Sequence, residues 1–172
     1  MMTYPMIAND RSNDSHQAAR RVIHNYVIAA AVAGALPTPF LSGMATKALQ
    51  MRMIYLLCKV YGVSFSENLA KGVLLVILAG IAGIAFSRLL NLLIPRITPL
   101  GFAANTTAMA IGAGSETYVV GYIVRRHFES GGTLENFDHN VSKGELQQIY
   151  RQGQVAARKA VVTRLKPRTA TL

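Results

Sequence analysis

Of 172 residues, 51% are apolar and only 15% charged, yet the formal charge is +10. So few charges with so strong a basic bias leave two ordinary classes, a nucleic-acid binder and a membrane protein with basic flanks. Trp is absent and Tyr and Phe are scattered, which argues against the aromatic-lined basic groove of a nucleic-acid binder; the single cysteine, Cys58, excludes disulfide frameworks and thiolate zinc sites within one chain.

Residues 1–14 read as a polar arm, and Met1 to Arg21 carries no apolar core of a signal peptide, so membrane entry is expected to use internal segments. Asp14 and Gln17 have capping-box spacing and open an apolar-rich helix that Pro37 stops near Leu36. Thr38 suits an N-cap and Pro39 a first helical turn, starting a second helix that ends at Gly62. Before Pro37 the helix offers only about 15 apolar residues, roughly 22 Å, which is short for a bilayer. This Pro-broken pair is therefore expected to be re-entrant or interfacial, with a third span over Val22–Ala45 as the alternative.

Ser64 and Glu67 repeat the capping-box spacing and open a third helix that Pro95 terminates. Thr98-Pro99 repeats the device of Thr38-Pro39 and starts a fourth helix to about Arg126; shared turn chemistry accounts for this echo as well as a true repeat does. Residues 72–93 and 101–124 are almost free of charge and long enough to span, so residues 15–128 read as a membrane helical domain containing a two-span hairpin. Nine Lys/Arg follow Val124 and only Arg96 sits in the turn, which puts both chain ends on the cytoplasmic side. After a linker over 129–141, Ser142 and Glu145 open a basic amphipathic helix, the last element of 142–172, with seven Lys/Arg and one Glu up to Arg168. The fold class is all-α.

Two rows of small residues, Ala79-Gly83-Ser87 on the third helix and Ala104-Ala108-Gly112 on the fourth, recur every four residues. Such rows let helix backbones approach, within a hairpin or between subunits of a homo-oligomer. Glu116 stands alone in its apolar run; it reads as a protonated or hydrogen-bonded carboxyl beside Ser115 and Thr117, or as a proton or ion site with Asn105, Thr106 and Ser115 lining a pore. Arg88 falls roughly 13 Å from it along a folded hairpin and is expected to snorkel outward instead. His127 and His139 stand too far apart from other ligands for a metal site. Neither a catalytic triad nor a phosphate-binding loop is present, so no cofactor is expected. Arg151, Arg158, Lys159, Arg164 and Lys166 are candidates for contact with an anionic leaflet or an acidic partner.

The run Ala30-Ala31-Val32-Ala33-Gly34 through Pro37-x-Pro39, the Gln50-x-x-Met53-Ile54 stretch, Tyr61-Gly62, and Ala108-x-Ala110-Ile111-Gly112 before Tyr118 resemble the YcjF-type membrane domain of bacteria. The resemblance covers about Ala19 to Phe128. It implies a helical protein of the bacterial inner membrane, of unknown function, linked to Era-like GTPases; it brings no catalytic residues. The chain departs from GTPase-fused members in having no nucleotide-binding segment, and Glu116 stands where a small or apolar residue is expected.

Three functional expectations follow. The first is a non-enzymatic membrane scaffold that oligomerises and recruits a cytoplasmic partner, a GTPase by the resemblance. The second is an oligomeric channel or transporter with Glu116 facing the pore. The third is a helical bundle that inserts conditionally to form a pore.

Overall fold

Glycine, proline and serine set the ends of five helices in the computed structural model: α1 (Met6–Gly34), α2 (Pro39–Tyr61), α3 (Glu67–Leu92), α4 (Pro99–Glu129) and α5 (Lys143–Leu165). The structure describes residues 6–36, 38–92, 99–138 and 141–165, and the side chains of 13–36, 38, 40–82, 106–138 and 141–163. Helix α1 starts well before the expected Asp14, inside what reads as a polar arm. The reason is local: no Gly or Pro falls between Met6 and Ala33, so nothing breaks the helix.

Thr38 has extended backbone, φ −102° and ψ 114°, and its side chain makes no capping bond; Pro39 follows at the first turn. Gly62 closes α2 in the left-handed region at φ 68°, where its N–H reaches the Cys58 carbonyl. Ser66, rather than Ser64, supplies the first carbonyl of α3, accepting from Ala70 N–H at 2.9 Å. Ser142 does cap α5 as its spacing predicts: Glu145 N–H donates to Ser142 Oγ at 3.2 Å. The expected linker is ordered by His127, whose Nε2 lies 2.8 Å from the Thr133 carbonyl and whose ring packs edge-on against Phe137.

Helix α4 is the axis of the bundle, and α1, α2 and α5 pack along it. Against α1 it runs antiparallel, since a Cβ on Gly34 would strike Ala113 and one on Gly121 would strike Ile23. Helix α2 is parallel to α4, with Gln50 at Thr117 and Tyr61 at Glu129. Helix α5 returns antiparallel from Arg126–Glu145 to Gly114 against Ala157. Val119, Val120, Val124, Met53, Leu57 and Val27 are almost wholly enclosed where these helices meet.

This arrangement accounts for much of the charge-free run in α4 without lipid. Its second half is wrapped by protein, and a helix enclosed by neighbours is apolar all round for the same reason as one enclosed by acyl chains. Among the described residues no helix is long and apolar enough to cross a membrane, so the spans expected over 72–93 and 101–124 are not supported there. Side chains 83–105, which hold the middle of that expected hairpin, lie outside the described set.

Candidate functional site

Gly34, Ala110 and Gly114 bring α1 and α4 into backbone contact near one end of the bundle. A Cβ on Gly34 would lie 2.8 Å from the Met109 carbonyl oxygen, and one on Gly114 would lie 2.8 Å from Ala157 Cβ. With the helices this close, larger apolar side chains around the α1–α2 turn are forced outward. Val32, Leu36, Phe40, Leu41 and Met44 are all exposed, Phe40 at 75%. Helix α3 adds to the apolar surface: Ala70, Val73, Leu74, Ile77 and Ile81 face inward, but Leu75 and Val76 face out, Leu75 at 67%. A water-facing helix normally places polar groups on that side. Exposure of this many large apolar side chains marks surfaces that meet lipid or a partner.

The opposite end is polar and tied by charge. Glu129 Oε1 lies 2.7 Å from His16 Nδ1 on α1, accepts from Tyr61 OH on α2 at 2.9 Å, and stands 3.5 Å from Arg125 Nε on its own helix. Burial, then the Glu129 carboxylate, pushes the Tyr61 phenol far above its usual range. Arg126 pairs with Glu145, which fastens the start of α5, and this pairing raises the Arg126 guanidinium further.

The residues singled out from sequence fall in different places. Ala79 is exposed on the outer face of α3. Ala108 and Gly112 are partly buried, and a Cβ on Gly112 would meet nothing within 4 Å, so the close approach runs instead through Ala110, Gly114 and Gly121. The side chains of Gly83, Ser87, Ala104, Asn105 and Arg164, and all of Lys166, lie outside the described residues. Arg151, Arg158 and Lys159 are exposed along α5.

Of the pore candidates, Ser115 is fully buried and donates to the Ile111 carbonyl at 2.6 Å, while its own carbonyl lies against Gly153 of α5. Glu116 turns the other way, to α2, where Oε2 is 3.8 Å from Lys47 Nζ. Thr106 is partly buried almost three turns earlier. Ser115 and Glu116 therefore address different helices. Between α2 and α4 lies a small polar seam that sequence reading missed. Gln50 is wholly buried and donates to Thr117 Oγ1 at 3.2 Å, Thr117 donates to the Ala113 carbonyl, and Gln50 Oε1 has no hydrogen-bond partner. Among the described residues no three His, Cys, Asp or Glu side chains gather as a metal site.

The fold and its surfaces define an all-α bundle with one apolar end and one charge-tied end. The chain belongs to the family described as domain of unknown function DUF697, whose model matches residues 6–155. This is the domain associated with the YcjF type that the sequence resembles. It is similar to a protein named Magnetosome membrane protein 22 from Magnetospirillum gryphiswaldense, 31% identical over 145 residues, covering 82% of this chain and 73% of that protein. No solved structure matches.

Proposed function

We propose that the protein is a non-enzymatic membrane scaffold of the bacterial inner membrane. Its apolar end enters the bilayer, and the bundle behind it presents a cytoplasmic surface to a partner. The observation that carries this reading is the exposed set Val32, Leu36, Phe40, Leu41 and Met44, together with the exposed Leu75 and Val76 on α3. Removing one such side chain fully from water is worth about 1.5–3 kcal/mol, so a patch of this size favours a hydrocarbon environment. The similarity to a protein named for the magnetosome membrane supports a membrane location.

Within this reading, α3 and the first half of α4 form the inserted hairpin, and the second half of α4 stays inside the protein core. The exposed cations of α5 lie against anionic headgroups, each contributing about 1 kcal/mol near the surface. Both chain ends face the cytoplasm. The rows Ala79-Gly83-Ser87 and Ala104-Ala108-Gly112 are the surfaces through which copies assemble. The partner is a GTPase, as the family's association implies.

Carbonate extraction of membranes tests the scaffold directly. The protein is expected in the pellet, and a Phe40→Asp/Leu41→Asp/Met44→Asp variant is expected to shift toward the supernatant. Release of the unaltered protein would overturn constitutive insertion and leave conditional insertion in its place. The channel reading is the weaker one, because Ser115 and Glu116 face different helices.

A further inference from the structure

A cavity of about 460 Å³ opens between α1, α4 and α5, on the side of the bundle toward the charge-tied end. Its wall carries Arg20, His16 and His24 from α1 and Arg125 from α4, and no carboxylate is part of the lining. The nearest acid, Glu129, is already engaged by His16, Tyr61 and Arg125. Arg20 and His24 are exposed and have no acidic partner among the described residues.

Arg125 is the fixed element of this wall. Its side chain is only 15% exposed, its guanidinium lies 5.2 Å from the Tyr122 ring centre, and its enclosed Nε stands 3.5 Å from Glu129 Oε1, which leaves the terminal nitrogens as the donors for a ligand. Tyr118 and Tyr122 line the same cavity and stack on each other with centres 6.2 Å apart at 25°. The walls therefore combine several cationic donors with a flat aromatic surface. A guanidinium matches a phosphate with its fork of donors, and a stacked aromatic pair suits a planar or sugar-like moiety attached to it. The volume falls within the range of small-molecule sites.

We infer that this cavity is a binding site for a small phosphate-bearing organic anion, held by Arg20, Arg125 and His24 against the Tyr118–Tyr122 face. A soluble phosphomonoester and a phospholipid headgroup share this chemistry. The inference stands apart from membrane insertion, which the apolar end provides.

Isothermal titration of the full-length protein in detergent with adenosine monophosphate, inorganic phosphate and short-chain phosphatidylglycerol distinguishes the sources. Saturable binding of either organic phosphate, tighter than inorganic phosphate, is expected, and the tighter of the two names the source. Arg20→Gln/His24→Gln, at exposed positions the fold tolerates, is expected to weaken it about tenfold or more. Lys143→Gln, which removes a charge outside the cavity lining, is expected to leave affinity unchanged. Absence of saturable binding, or equal loss in Lys143→Gln, would overturn the site and reduce the effect to general attraction by a basic chain. Carbonate extraction is indifferent to either result.

Discussion

Lys47 on α2 and Glu116 on α4 face each other with 3.8 Å between Nζ and Oε2. The carboxylate that looks anomalous in an apolar run is thus answered by a cation from a helix 69 positions earlier in the chain. Lys47 is 47% exposed at its side chain, so water weakens the attraction and the pair is expected to contribute about 1 kcal/mol or less. A double-mutant cycle of Lys47→Met and Glu116→Gln, read by denaturant midpoint, should give a coupling within that bound. A much larger coupling, or loss of a transport activity in Glu116→Gln alone, would reassign Glu116 from structure to function.

Two glycines on α4, only two residues apart, should respond in opposite ways. Gly114→Leu drives a side chain into Ala157 and the Val27 carbonyl, so a loss of about 1–3 kcal/mol is expected. Gly112→Ala meets open space and removes a flexible residue from mid-helix, giving a gain of about 0.5–1 kcal/mol. Thermal melting of both variants as dispersed monomers tests this; in the assembled protein, where the proposed row brings a second copy onto Gly112, a loss in Gly112→Ala is expected instead.

Gly62→Ala is expected to cost about 1–2 kcal/mol, because φ 68° brings a Cβ against the following carbonyl. The space around Gly62 is open, so the loss is backbone strain rather than collision. Gly62→Asn, which tolerates this region better, should recover part of it in the same melt.

The Cys58 thiol is buried, and burial pushes it up to about 11, well above the usual thiol range. It should resist alkylation at pH 8 in the folded protein and react within minutes once the chain is unfolded. The neutral thiol is favoured by the folded state, so its contribution is fully present below about pH 9 and is lost as the pH rises through about 11. Cys58→Ala should remove that part of the alkaline sensitivity, measured as stability against pH.

The two ends of α2 and the start of α4 were legible because Pro39, Gly62 and Pro99 act on the backbone locally, whereas α1 begins before the expected Asp14 and α3 starts from Ser66 rather than Ser64. What surrounds a helix is not local. An apolar run such as Gly101–Val124 looks the same whether it is wrapped by lipid or, as with its second half, by three other helices. The packing row was missed for a related reason. Ala103, Ala104, Ala108, Ala110, Gly112, Ala113 and Gly114 populate nearly every face of α4, so spacing alone offers several rows and only the positions of Gly34, Ala157 and Ile23 select one. The cavity gave no signal because Arg20, Arg125 and Gln152 come from three separate helices.

Glu129 knots α1, α2 and α4 together through polar groups, whereas around Gly34 and Gly114 helices α1, α4 and α5 are joined by bare shape. The two joints obey different solvents: ionic strength slackens the knot, and amphiphiles compete for the fitted surfaces. A bundle built this way can splay from one side while staying fastened at the other, much as tongs pivot at a rivet.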